Sequence, residues 1–139
     1  MKKNKIILVG SGYLGDNIIR LLCGINHDYL VSEISRTKKN RDSDIRSIQY
    51  DIDNSINLDI DLTESKIIYM APPDTSTSGD VRITKFISTI AKSKITRFIY
   101  ISTSGVYGNC NGNKVTEANT INPITDRAKR RVDAENKLI

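Results

Sequence analysis

The stretch Ile6-Ile7-Leu8-Val9-Gly10-Ser11-Gly12-Tyr13-Leu14-Gly15 decides how the rest of the chain is read. Ile6 to Val9 is a short unbroken apolar run behind a basic start, the pattern of a parallel strand covered on both faces, predicted here over 5–9. From Tyr13 onward Leu14, Ile18, Leu21 and Leu22 recur at helical spacing, which predicts a helix over 13–23 with Gly24 ending it. Between strand and helix stand Gly10, Gly12 and Gly15. Gly10 permits the tight turn. Gly12 leaves the backbone bare for a close-approaching group, and Gly15 lets the helix pack against the strand. The first turn of the helix then offers unbonded N–H groups and a positive dipole end, a natural seat for phosphates.

That turn predicts a site for a dinucleotide, NAD or NADP, formed by Gly10, Gly12, Tyr13, Leu14 and Gly15. The second strand, over 29–34, should carry the group that reads the adenosine ribose. Glu33 lies eighteen positions after Gly15, near the expected spacing of about twenty. A carboxylate there accepts from both ribose hydroxyls and repels a 2′-phosphate, favouring NAD. Arg36, three residues on, welcomes that phosphate and favours NADP. The two residues point to different cofactors, and the choice stays open at this level.

Farther out, strands and helical stretches alternate. Residues 36–44 are polar and poorly periodic, a loop with room for one short helix. Residues 45–50 alternate as a third strand. The acidic segment 51–64, with Ile52, Ile56, Leu58, Ile60 and Leu62 interspersed, reads as loop and irregular turns. A fourth strand over 66–70 is stopped by Pro72-Pro73. Ile83, Phe86, Ile87, Ile90 and Ala91 make one face of a helix over 79–92. A fifth strand over 98–101 precedes Ser102-Thr103-Ser104, a long loop over 105–122 and a polar helix over 125–138, with Asp126 near its positive end. This alternation predicts an α/β fold, a doubly wound parallel (Rossmann) sheet in the order 3-2-1-4-5 with helices on both faces.

The chain has 139 residues, enough for one domain with a real core, and 38% hydrophobic with 27% charged residues is an ordinary globular composition. No apolar run is long enough for a bilayer and the Met1-Lys2-Lys3 start has no signal-peptide character, so the expected setting is the cytoplasm, away from membranes. Cys23 and Cys110 have no metal-like spacing, read as reduced thiols, and no metal site is expected. The net charge of +5 comes from lysines and arginines scattered among acids, with one denser cluster from Arg127 to Arg131. Nucleic acid is not the expected partner.

The Gly10–Gly15 turn, Asp51 after the third strand, Ala71 after the fourth, and above all Ile101-Ser102-Thr103-Ser104-Gly105-Val106-Tyr107-Gly108 resemble the extended short-chain dehydrogenase/reductase superfamily. Within it, the pattern is most similar to the NAD-dependent epimerase/dehydratase members, and Glu117 with Asn122-Pro123 also fits. The resemblance implies that Asp51 and Ile52 contact the adenine. It implies that Ala71 and Pro72 border the nicotinamide ribose, and that the Thr103 hydroxyl bonds the substrate oxygen. Plainer roles compete: Thr103 as a backbone-bonding group at a strand end, Asp51 as a turn cap.

Three departures qualify the resemblance. Val9 stands where the extended family usually has a further glycine, which is similar to an atypical branch. The family's tyrosine and lysine, four residues apart, align with Arg127 and Arg131. Arginine stays protonated and cannot exchange protons near neutral pH; the spacing puts both guanidinium groups on one helix face, to bind an anion or simply to face solvent. Family members also continue past this helix into a substrate-binding region, whereas this chain stops at Ile139. The fifth strand is then expected to be an apolar edge covered by self-association or a partner chain. Three functions follow as expectations. One is the cofactor-binding half of an epimerase, dehydratase or reductase acting on a nucleotide sugar or a similar carbonyl or alcohol. The others are an inactive NAD(P)-binding or scaffold module and a truncated piece of a longer enzyme.

Overall fold

A computed structural model describes residues 4–25, 28–55 and 57–139, without the side chain of Ile25. Met1, Lys2, Lys3 and Ile56, which entered the sequence reading, lie outside the described residues. Five strands, β1 (Asn4–Val9), β2 (Tyr29–Ser35), β3 (Ile45–Gln49), β4 (Ser65–Tyr69) and β5 (Arg97–Tyr100), form one sheet in the order β3-β2-β1-β4-β5. Every neighbouring pair is parallel. The helices are α1 (Tyr13–Ile25), α2 (Val81–Ile90) and α3 (Asp126–Leu138), with a 3-10 turn at Ser104–Tyr107. This is the expected doubly wound Rossmann sheet in the expected strand order.

The chain divides into two compact units, Met1–Pro72 with Phe86–Ile101, and Pro73–Lys85 with Ser102–Ile139. The first holds the sheet. Register pairs Ile6 with Val31 and Leu8 with Glu33, so those side chains share a face. Ile6, Leu8, Val31 and Ile45 pack there with Ile19 of α1. On the alternate positions Ile7 and Val9 pair with Ile67 and Tyr69. Tyr69 is fully buried and its ring lies 5.3 Å from that of Phe86 and 6.0 Å from those of Phe98 and Tyr100. In the second unit, α3 buries Ala128, Arg131 and Ala134.

Local chemistry moves several element ends. Gly24 does not end α1; the helix runs on to Ile25, and Gly24 is exposed with nothing near its Cβ position. Residues 36–44 form no helix; the loop is tied to β3 by the Lys39 N–H, which donates to Ser47 Oγ. The loop predicted over 105–122 overlaps the 3-10 turn, whose N-cap is Thr103. Thr125 caps α3, its hydroxyl accepting from the Ala128 N–H at 3.2 Å. No described helix is long and apolar enough to cross a membrane.

Candidate functional site

The sheet order reverses between β1 and β4, and α/β sheets bind ligands beyond the strand ends at such a reversal. The glycine turn leaves β1 at that point. The Gly10 N–H donates to Ile34 O of β2, and the Met70 N–H beyond β4 donates to Val9 O, so the turn starts flush between two strands. Gly10 sits at φ +75°, and a Cβ there would lie 2.5 Å from the Ala71 backbone. Both conditions demand glycine. A Cβ on Gly15 would meet Ser11 Oγ at 2.4 Å. Gly12 differs from both: it is exposed, and nothing lies within 4 Å of its Cβ position. The free space is therefore at Gly12, where a phosphate approaching the start of the 13-residue helix would need it. The residues fit a pyrophosphate. Tyr13, 88% exposed, and exposed Leu14 follow at the mouth of the turn.

Glu33 is not at the strand end, because β2 continues to Ser35, and its side chain is 0% exposed. Arg41 takes both of its oxygens, Nε to Oε1 at 2.7 Å and Nη2 to Oε2 at 2.8 Å. The same Nη2 bonds Asp16 in the first turn of α1. Lys39 Nζ donates to Ser11 O at 2.6 Å and to Asp16 Oδ1 at 3.2 Å. Residues 39–41 thus form a clasp from the glycine turn and α1 to β2. Burial pushes the Glu33 carboxyl up, but the Arg41 bonds, the Ser11 hydroxyl and the Arg41 charge outweigh it and hold Glu33 below the ordinary glutamate value. Arg41 likewise holds Asp16 down against desolvation, with help from Lys39. Glu33 is therefore an occupied ion-pair partner and not a free acceptor for ribose hydroxyls. Arg36 is exposed, and its carbonyl accepts from Gln49 Nε2 at 3.1 Å.

Asp51 caps a turn: its carboxylate accepts from the Asp53 N–H at 3.0 Å and from Asn54 Nδ2 at 2.9 Å. Ile52 and Ala71 are buried and Pro72 is exposed.

In the second unit, Thr103 Oγ1 accepts from the Gly105 N–H at 3.2 Å. That bond uses a lone pair and leaves the hydroxyl proton free to donate. Ser102 bonds Glu135. Arg127 and Arg131 do not form a solvated pair: Arg127 is exposed, whereas Arg131 is 6% exposed. The Arg131 charge acts on Asp80, which caps α2 by accepting from the Ile83 N–H at 3.1 Å and is itself fully buried. Burial nevertheless keeps the Asp80 carboxyl above its ordinary value.

Sequence reasoning missed Lys39, Arg41, Asp16 and Asp80. A signal for the first two was present: Arg36-Thr37-Lys38-Lys39-Asn40-Arg41 holds four cations and no acid.

No family model matches the chain, and no curated protein does. Solved structures do. UDP-glucuronic acid 4-epimerase from Bacillus cereus, crystallised with NAD and a fluorinated UDP-sugar, superposes with a TM-score of 0.74 at 22% identity over 95% of this chain. UDP-N-acetylglucosamine 4-epimerase from Methanobrevibacter ruminantium, with UDP-N-acetylmuramic acid, gives 0.75 at 17% over 99%. The UDP-Glc/GlcNAc 4-epimerase of Campylobacter jejuni gives 0.75 at 18% over 97%. The chain spans about half the length of these proteins, 50%, 50% and 48% respectively. At these identities the likeness shows a shared fold.

Proposed function

We propose that the chain is the dinucleotide-binding portion of an epimerase-, dehydratase- or reductase-like protein of the cytoplasm, acting on a nucleotide sugar or a similar alcohol or carbonyl. The observation that carries this reading is the contrast within the glycine turn: Gly10 and Gly15 are closed in, and Gly12 opens onto empty space at a helix start. Gly10, Gly12, Tyr13, Leu14 and Gly15 would seat the pyrophosphate of NAD or NADP. Ile52 would border the adenine, with Asp51 shaping the turn beside it, and Ala71 and Pro72 would border the nicotinamide ribose. A bound nicotinamide supplies hydride transfer. The chain's own contribution at the substrate is the Thr103 hydroxyl, which keeps a proton to donate to an oxygen. The matched structures bind NAD and UDP-sugars, which supports the class.

The test is a fluorescence titration of NADH and NADPH on the wild type and on Gly12→Ala. The wild type should bind at least one. The variant should keep its stability within about 0.5 kcal/mol and lose about tenfold in affinity, or 1.4 kcal/mol. Binding of neither cofactor by the wild type sinks the proposal.

A second reading is an inactive NAD(P)-binding or scaffold module. It is favoured by the burial of Arg131, whose charge acts on Asp80, where the resemblance asks for a proton-transfer pair. Turnover that is lost in Thr103→Ala would exclude it. β5 ends the sheet, and Ile99 is 40% exposed on it; a second copy or a partner chain would cover this edge. A constant monomer mass in sedimentation across a wide concentration range would count against that cover.

A further inference from the structure

The clasp changes what the adenosine end can recognise. A ribose-reading carboxylate must be reachable and must have lone pairs to spare. Glu33 fails the first condition: it is completely enclosed, with Arg41 held across both of its oxygens. Accessible cations stand at this end. Gly10 follows Val9, whose partner on β2 is Ile34, and Arg36 stands just past Ser35 at the same end of the sheet. Its backbone is fixed by Gln49, at the end of β3. Arg36 and Lys38 are both exposed, and Lys39 reaches the carbonyl of Ser11 within the glycine turn.

Lys39 and Arg41 pair with the carboxylates of Asp16 and Glu33, which leaves the charges of Arg36 and Lys38. Asp51 follows Tyr50, whose N–H donates to Ser35 O, so it stands at the same end as Arg36, with its carboxylate turned to the Asp53 N–H and Asn54 Nδ2. Asp42 and Asp44 lead instead into Ile45, which pairs with Val31. Val31 lies four residues below Ser35, roughly 13 Å toward the opposite end of the sheet.

Resting on the dinucleotide reading above, we infer that the clasp makes this a 2′-phosphate site, so that the chain prefers NADP to NAD. Arg41 neutralises the carboxylate that would repel a phosphate, and Arg36 and Lys38 supply the donors. A phosphomonoester carries about 1.5 to 2 negative charges at neutral pH, which these two cations would meet. Arginine gives the stronger recognition, because its planar fork can hold two phosphate oxygens. The preference is opposite to the cofactor bound in the matched epimerase structures described with NAD.

The experiment titrates the whole chain with NADPH and NADH at low and high salt, beside the double variant Arg36→Ala/Lys38→Ala. Both residues are exposed, so the variant keeps the fold. NADPH should bind about tenfold more tightly at low salt, with the ratio shrinking as salt rises. The double variant should bring the ratio to roughly threefold or less while leaving NADH affinity unchanged. Equal binding, or tighter NADH, overturns the preference and leaves the dinucleotide reading standing. An unchanged ratio in the double variant overturns the assignment to these residues. Binding of neither cofactor removes the dinucleotide reading and this inference together.

Discussion

Two carboxylates are sealed inside this molecule, each near an arginine, and they respond to burial in opposite ways. Glu33 in the first unit is held below its ordinary value; Asp80 in the second is held above it. Both side chains are fully enclosed. What differs is the hydrogen bonding. Arg41 meets Glu33 with two nitrogens, one for each oxygen. Asp80 has one oxygen on the Ile83 N–H, while its Oδ2 has no hydrogen-bond partner among the described residues. Arg131 contributes its charge to Asp80, and that is not enough to offset desolvation. Nearness of opposite charge does not by itself hold a buried carboxyl below its ordinary value; hydrogen bonds to its oxygens do.

The comparison predicts its largest effect at Arg41. Arg41→Met strands a sealed, ionised Glu33 and should cost about 3–5 kcal/mol in urea denaturation. Adding Glu33→Met should recover most of that loss. A single variant no less stable than the double would break the contrast. Arg131→Met should cost less, roughly 2 kcal/mol at neutral pH, because Asp80 can take up a proton where Glu33 resists one. Its penalty should shrink as the pH is lowered, since protonation of Asp80 removes the stranded charge; a pH-independent penalty would contradict this account.

The acid limb sharpens the point. Glu33 and Asp16 lie below their ordinary values of 4.5 and 3.8 in the fold. Their stabilisation is therefore complete above those values and is lost as pH falls through the lower folded ones. The wild type should weaken across that window, and Arg41→Met should flatten the slope. Asp80 contributes with the opposite sign, because the folded state there binds its proton first. The smallest effect belongs to Lys137, which bonds Asp133 at 2.6 Å with both side chains 36% exposed. Lys137→Ala should cost no more than about 1 kcal/mol. A loss as large as that at Arg41 would mean that solvent exposure does not separate the pairs.

The fold was legible because it is written in local periods: apolar runs for the strands, helical spacing for α1 and α2, glycines at a fixed offset from β1. Much of the site was not, because its decisive contacts join residues with no common period. Glu33 could be placed on β2, but nothing in the spacing says that Arg41, out in a loop, would cover it. The charge run from Arg36 to Arg41 is the available hint, and the Arg127–Arg131 cluster is a competing one of the same kind. On α3 the buried stripe is Ala128, Arg131 and Ala134. Two alanines and an arginine make a weak apolar signal, so Arg131 reads as surface, and the buried Asp80 on which its charge acts lies on a different element.

The unequal surroundings of Gly10 and Gly12 separate two pressures that a sequence fingerprint merges. A descendant that abandoned its ligand would still have to keep Gly10, since any side chain there collides with the main chain at Ala71. It could fill position 12 at no structural cost. On the proposed dinucleotide reading, the middle glycine is the one whose loss among diverged copies would mark the end of nucleotide binding, and the first would persist whether or not anything bound.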